Sequence, residues 1–333
     1  MNELRKLFYL LLIIPIMFVN TGCSDDDDGG TEPETINETE VLVKYLEANG
    51  DPVNTFGQYI KTIDVKSNLD LQSDQYIIDI RSAEDFANGH IEGAHQVNAS
   101  DVLSYYETNN LSSKERVTLV CYSGQTAGWV ASLMHMVGHI NVKTMSFGMS
   151  SWNPTTAAMS WAKEGKISNA KAGLMVTEAT AKAAAGDLPT FQSTGETEGA
   201  NILRARVEAV FAEGFSPAAA MSNGSLFDTP ENYYIVNYWS LEHYNQMHIP
   251  GAIQYTPQVD LNLATSLKTL PKDKTIAVYC YTGQTSAHIA AYLRVLGYDA
   301  KSVLYGVNQM AHDTMPGTAF DETQHVYNHP LVQ

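Results

Sequence analysis

Two heptapeptides carry the residue types best suited to chemistry, CYSGQTA from Cys121 to Ala127 and CYTGQTS from Cys280 to Ser286. Each follows an apolar, β-branched run, VTLV before Cys121 and TIAVY before Cys280, and each opens into an apolar-periodic segment long enough for a helix. The pattern predicts a strand, a glycine turn and a helix, with the cysteine at the crest. A thiol in that position faces unpaired backbone N–H groups at a helix N-terminus, which stabilise its anion. The expectation is a lowered thiol pKa and a nucleophilic sulfur. A disulfide between Cys121 and Cys280 is the competing reading. It requires Cα atoms within about 7 Å, which equivalent crests of two separate domains do not readily meet. Metal ligation is weaker still, because neither loop holds a second cysteine or a histidine at ligand spacing. No metal or cofactor is expected.

The elements that must position these loops occur twice. IIDIRSAEDFANGHIEGA, from Ile77 to Ala94, aligns without gaps with IVNYWSLEHYNQMHIPGA, from Ile235 to Ala252, at an offset of 158; Cys121 and Cys280 are 159 apart, so one residue is inserted between the two motifs. Upstream, Val41 to Asn49 and Ile202 to Gly214 read as amphipathic helices leading into each copy. Downstream, SFGMSSW from Ser146 and LYGVNQM from Leu304 are matching glycine turns. Strands are expected at Ile77 to Asp79, Val117 to Val120 and Val142 to Met145, with helices around Glu84 to Asn88, Asp101 to Tyr106 and Thr126 to Val137. This alternation implies an α/β fold, each domain a mainly parallel sheet flanked by helices, with ligands at the carboxyl ends of the strands. The first domain spans 40–153 and the second 200–333. The connection 154–199 is expected to pack on the surface, with a weakly helical stretch around Val176 to Ala185.

Ahead of the domains lies a targeting segment, residues 1–22. Arg5 and Lys6 precede an apolar run from Leu7 to Val19 that is too short to span a bilayer comfortably. The ending Asn20, Thr21, Gly22, Cys23 resembles a bacterial lipoprotein lipobox, with Asn20 where an aliphatic residue is usual; the resemblance implies lipidation of Cys23 and placement at the cell envelope. Residues 23–39, rich in Asp and Glu, read as a disordered tether. An acidic run directly after the lipidated cysteine resembles the surface-export signal of outer-membrane lipoproteins. The lipid anchor is the membrane contact this implies. A formal charge of -17 argues against nucleic acid as a partner, since no cationic groove is available for phosphates.

DIRSAEDF, GHIEGA and a CxxGxT loop after a strand together resemble the rhodanese-like sulfurtransferases, and the duplication resembles the thiosulfate and 3-mercaptopyruvate sulfurtransferase type. The resemblance covers roughly residues 40 to 153 and 200 to 315. It implies that Cys121 and Cys280 are catalytic. By the same resemblance, each would take sulfane sulfur from a small-molecule donor as a persulfide and pass it to a thiol or cyanide acceptor. Tyr122, Ser123, Gly124, Gln125 and Thr126, with Tyr281, Thr282, Gly283, Gln284 and Thr285, would cradle the bound sulfur. Two other classes stay open: a carrier that binds sulfane sulfur or polysulfide without turnover, and a scaffold that keeps only the fold. The related phosphatase-type domains, with longer loops ending in arginine, fit poorly.

The departures from the family pattern are informative. No loop residue is cationic, which predicts weak use of thiosulfate and favours a persulfide, polysulfide or mercaptopyruvate-like donor. Asp79 and Arg81 are replaced by Asn237 and Trp239 in the second copy. Asp79 and Arg81 are expected among the substrate-binding residues, Asp79 orienting the loop through backbone N–H groups; the other reading is a local turn cap with Arg81 paired to Glu84. His90 and His248, beside buried aliphatic residues, read as structural hydrogen-bonding groups rather than general bases.

Overall fold

A computed structural model describes residues 37–55 and 58–333; the expected signal segment 1–22, Cys23 and the expected tether through residue 36 lie outside the described residues. Helix α1 (Glu38–Ala48) starts inside the expected tether. Asn37 accepts a hydrogen bond from Glu40 N–H at 3.2 Å, and Glu38 and Glu40 place negative charge at the positive end of the helix. Leu42, Val43 and Leu46 then anchor it in the core.

The first domain continues with β1 (Tyr59–Ile60), α2 (Thr62–Asp70), β2 (Gln75–Asp79), α3 (Ala83–Asn88), β3 (Ala94–Gln96), α4 (Val102–Thr108), β4 (Arg116–Val120), α5 (Gln125–Met136) and β5 (Val142–Met145). Its strands are all parallel, in the order β1-β5-β4-β2-β3. Two short helices follow, α6 (Met149–Trp152) and α7 (Pro154–Ala157). The second domain, introduced by α8 (Gly199–Glu213), repeats the plan with β6 (Ala220–Met221), α9 (Gly224–Asp228), β7 (Tyr233–Asn237), α10 (Leu241–Gln246), β8 (Ile253–Gln254), β9 (Thr275–Tyr279), α11 (Gln284–Val295) and β10 (Ala300–Val303). The order β6-β10-β9-β7-β8 is again wholly parallel. Central strands β4 and β9 are covered on both faces. This is why VTLV and IAVY read as continuous apolar runs rather than alternating ones, and their side chains are buried.

The two domains pack through the helices that leave the cysteine loops. At Gly128 in α5 a β-carbon would stand 3.1 Å from Gln284 O, and Ser132 Oγ donates to His288 O at 2.9 Å. A larger residue at 128 would therefore push α5 and α11 apart.

The connection departs from expectation. Residues 176–185 are extended, not helical: Val176 and His248 exchange backbone hydrogen bonds of 2.9 and 2.8 Å, and Thr180 pairs with Ile253 at the β8 edge. An exposed sheet edge leaves backbone groups unpaired, and pairing them outweighs the weak helix propensity of an Ala-Thr segment. The C-terminal tail makes the opposite crossing. Though contiguous with the second domain, it packs on the first, where Val332 and His90 exchange hydrogen bonds of 2.9 and 3.0 Å and Trp152 Nε1 donates to Pro330 O. Among the described residues, no helix is long and apolar enough to cross a membrane.

Candidate functional site

The two cysteines occupy matching positions. Cys121 directly follows β4, and Gly124 adopts φ +79° as the residue preceding α5; Cys280 follows β9, with Gly283 at φ +77° before α11. Only glycine takes this left-handed turn cheaply. The turn curls the backbone so that N–H groups point back at the sulfur. Cys121 Sγ accepts from Gly124 N–H at 3.2 Å and Ala127 N–H at 3.4 Å, and Cys280 Sγ from Gly283 N–H at 3.2 Å and Ser286 N–H at 3.3 Å. Both are free thiols, and both are buried.

Burial changes the electrostatic expectation for the first site. Desolvation pushes the Cys121 thiol up and outweighs the downward pull of the Ala127, Ser123 and Gly124 N–H groups, while the negative charge of Asp79 adds to the rise. Cys121 therefore rests as a thiol above the ordinary range, not below it as the loop alone suggested. The donors aimed at its sulfur gain importance when an anionic group forms there, because they are already in place.

Asp79 and Arg81 do not line a substrate surface. Their side chains are 0% and 1% exposed, and Arg81 donates to Asp79 through Nε at 3.0 Å and Nη2 at 2.6 Å, with a further bond from Nη2 to Gly89 O at 2.8 Å. Asp79 also accepts from Arg81 N–H at 3.0 Å. Arg81 thus pairs with Asp79 and not with Glu84, because two residues at a strand end bring fork and carboxylate face to face. The guanidinium lies 5.2 Å from the centre of the Tyr122 ring, so the pair supports the loop from beneath.

In the second domain neutral groups do this work. Asn237 Nδ2 donates to Tyr279 Oη at 2.7 Å, Ile249 N–H donates to the same oxygen at 3.2 Å, and Trp239 stacks on Tyr281 with ring centres 4.6 Å apart. The Tyr281 hydroxyl meets His243 Nδ1 at 2.5 Å. His90 and His248 are structural, stacked on Phe86 and Tyr244 with ring nitrogens 2.9 and 2.7 Å from the carbonyl oxygens of those same residues.

Of the loop residues, Tyr122, Ser123, Thr126, Tyr281 and Thr285 reach partial exposure, while Gly124, Gln125, Thr282, Gly283 and Gln284 are buried. Gln125 and Gln284, expected near substrate, turn instead into the opposite domain: Gln125 Oε1 accepts from Tyr305 N–H at 2.9 Å and Gln284 Oε1 from Phe147 N–H at 2.8 Å. Ser286 was missed. Cys280 Sγ donates to its Oγ at 3.6 Å, and that Oγ lies 2.8 Å from Ser302 Oγ, so the second thiol has a hydroxyl acceptor that Ala127 cannot supply to the first. The Ala/Ser difference at the seventh loop position was the available signal.

The rhodanese-like domain family matches residues 62–155 and 223–311. Among curated proteins, a tRNA sulfurtransferase of Pyrobaculum aerophilum is 35% identical over 118 residues, covering 35% of this chain and 23% of that protein, so the chain spans under a quarter of that relative. The thiosulfate sulfurtransferase GlpE of Pseudomonas putida is 30% identical over 100 residues, covering 29% of this chain and 89% of that protein. A solved thiosulfate sulfurtransferase structure from Pseudomonas aeruginosa aligns at 16% identity and a TM-score of 0.29, covering 88% of this chain and 48% of that one.

Proposed function

Because the chain belongs to the rhodanese-like domain family and carries that domain twice, we propose that it is a sulfurtransferase working through persulfides on Cys121 and Cys280. The carrying observation is the pair of backbone N–H groups aimed at each Sγ in both loops. A cysteine thiolate attacks the outer sulfur of the donor. In a persulfide, polysulfide or thiosulfate donor the S–S bond breaks and the leaving group departs with the electron pair. In a mercaptopyruvate-like donor the C–S bond breaks instead, its electron pair going to the enolate, which takes up the thiol proton to become pyruvate. Either way the terminal sulfur stays on the enzyme as Cys–S–S⁻. A thiolate or cyanide then attacks that sulfur, and the cysteine leaves as thiolate, restoring the enzyme. The loop N–H groups hold the anionic terminal sulfur between the two steps.

The named activities of the relatives support sulfur transfer in general. Donor choice follows from charge. Neither loop contains a basic side chain, and Arg81, the cation beneath the first loop, is committed to Asp79 and Gly89 O. A persulfide, polysulfide or mercaptopyruvate-like donor suits such a site better than the thiosulfate dianion. A second reading, a sulfane-sulfur carrier without turnover, is favoured by the burial and raised pKa of Cys121.

Intact-mass measurement after incubation with polysulfide, mercaptopyruvate and thiosulfate tests the proposal on the parent and on Cys121→Ala and Cys280→Ala. One sulfur atom gained per remaining loop cysteine is expected, fastest with polysulfide; no gain from any donor sinks it, and gain without catalytic product from added cyanide selects the carrier. At the N-terminus, the lipobox-like ending and acidic spacer support anchoring at the cell envelope through acylated Cys23. Cys23→Ser should move the protein from the membrane fraction to the soluble one. Unchanged partition would remove the lipid anchor from the proposal.

A further inference from the structure

The carbonyl of each cysteine is held by the glycine turn of its own domain. Met149 N–H donates to Cys121 O at 2.7 Å and Ser150 N–H to Tyr122 O at 3.0 Å; Val307 and Asn308 N–H donate to Cys280 O and Tyr281 O, each at 3.2 Å. The fit is close. A β-carbon on Gly148 would stand 2.2 Å from Cys121 O, and one on Gly306 2.3 Å from Cys280 O. Each turn begins with an aromatic residue in the left-handed region, Phe147 at φ 60° and Tyr305 at φ 59°, a conformation that bulky residues adopt only when their surroundings impose it.

What imposes it comes from the other domain. Phe147 N–H donates to Gln284 Oε1, from the Cys280 loop, and Tyr305 N–H donates to Gln125 Oε1, from the Cys121 loop. Both carboxamides are buried, and they sit so close to the opposite loops that a β-carbon on Gly124 or Gly283 would lie 2.3 Å from the facing Gln Oε1. The contacts form a closed circuit. The first loop holds the second turn, the second turn holds Cys280, the second loop holds the first turn, and the first turn holds Cys121.

We propose that Gln125 and Gln284 are crossed positioning residues, each setting the shape of the sulfur cradle in the domain to which it does not belong. The two cysteines are then one coupled pair of sites rather than two independent ones. This inference deepens the reading of both loops as sulfur cradles and rests on it. It also explains why the same glutamine stands fifth in both loops, while the third position differs between Ser123 and Thr282 and the seventh between Ala127 and Ser286.

Gln284→Met keeps the side-chain volume and removes the amide acceptor. In a Cys280→Ser background only Cys121 of the folded domains can react, and iodoacetamide reports its state without any sulfur donor. Gln284→Met is expected to slow alkylation of Cys121 three- to tenfold at pH 8, displace its pH profile to higher pH, and slow persulfide loading to a similar degree. Gln125→Met should do the same to Cys280 in a Cys121→Ser background. An opposite cysteine unchanged within twofold in rate and pH profile overturns the proposal. So does faster alkylation of both cysteines together with a lowered unfolding midpoint, which marks a loosened interface. Because alkylation needs no donor, a protein that shows the crossed effect but never gains sulfur keeps this coupling and loses the sulfurtransferase reading.

Discussion

The Cys121→Ser/Cys280→Ser double variant is expected to transfer sulfur from polysulfide to cyanide at least about a thousandfold more slowly than the parent while retaining its fold. A serine hydroxyl fits the same cradle but is neither ionised nor sulfur-philic near neutral pH, and removal of a covalent nucleophile commonly costs several orders of magnitude. The single variants divide the activity unequally. Cys280 Sγ accepts from two N–H donors and has Ser286 Oγ as a partner at 3.6 Å, whereas burial pushes the Cys121 thiol up and the negative charge of Asp79 adds to the rise. Cys121→Ser is therefore expected to keep more than half of the turnover at pH 7.5, and Cys280→Ser to lose most of it. Steady-state thiocyanate formation measures both. A double variant retaining a tenth of the parent rate would mean that another group carries the sulfur.

The elements around the site were legible because the duplicated pattern fixes them twice. Ile77 to Asp79 and Val117 to Val120 fall within β2 and β4, and the glycine after each cysteine takes the left-handed turn that its spacing implied. What escaped the sequence was direction. Gln125 lies one residue past a turn, and nothing in a linear pattern says whether its carboxamide faces substrate or the neighbouring domain; that depends on how α5 meets α11, where Gly128 permits close approach. Burial escaped likewise. The loop geometry correctly implied N–H donors at the sulfur, but the sign of the shift at Cys121 is decided by desolvation, which depends on everything packed above the loop. The extended course of residues 176–185 was hidden for a related reason, since the β8 edge that recruits it lies about 70 residues further along.

The buried ion pair of the first domain supplies the largest expected change in stability. Asp79→Asn should cost about 3–5 kcal/mol, the range found when one partner of a buried pair is removed and the other charge is left uncompensated. Arg81 would keep Gly89 O as an acceptor at 2.8 Å, but no hydrogen-bonded carboxylate, only the more distant charge of Asp85. The second domain shows how the same place is filled without charge: Asn237, Trp239 and the Tyr279 hydroxyl stand where Asp79, Arg81 and Val120 stand in the first. Copying all three, as Asp79→Asn, Arg81→Trp and Val120→Tyr together, should recover most of the loss, since neutral, well-packed groups often replace a buried pair at little net cost. Urea unfolding compares the parent, the single and the triple variant, and a single-variant cost below about 1 kcal/mol would mean that the pair is not isolated from water as its geometry implies. The site supplies an independent readout. Burial is the main cause of the raised Cys121 thiol and would remain, but Asp79→Asn removes the negative charge that adds to it and leaves a cation beside Tyr122, so alkylation of Cys121 should quicken at neutral pH even as stability falls. The triple variant, with neither charge, should also alkylate faster than the parent but be nearly as stable, which separates the electrostatic effect on the sulfur from loosening of the fold.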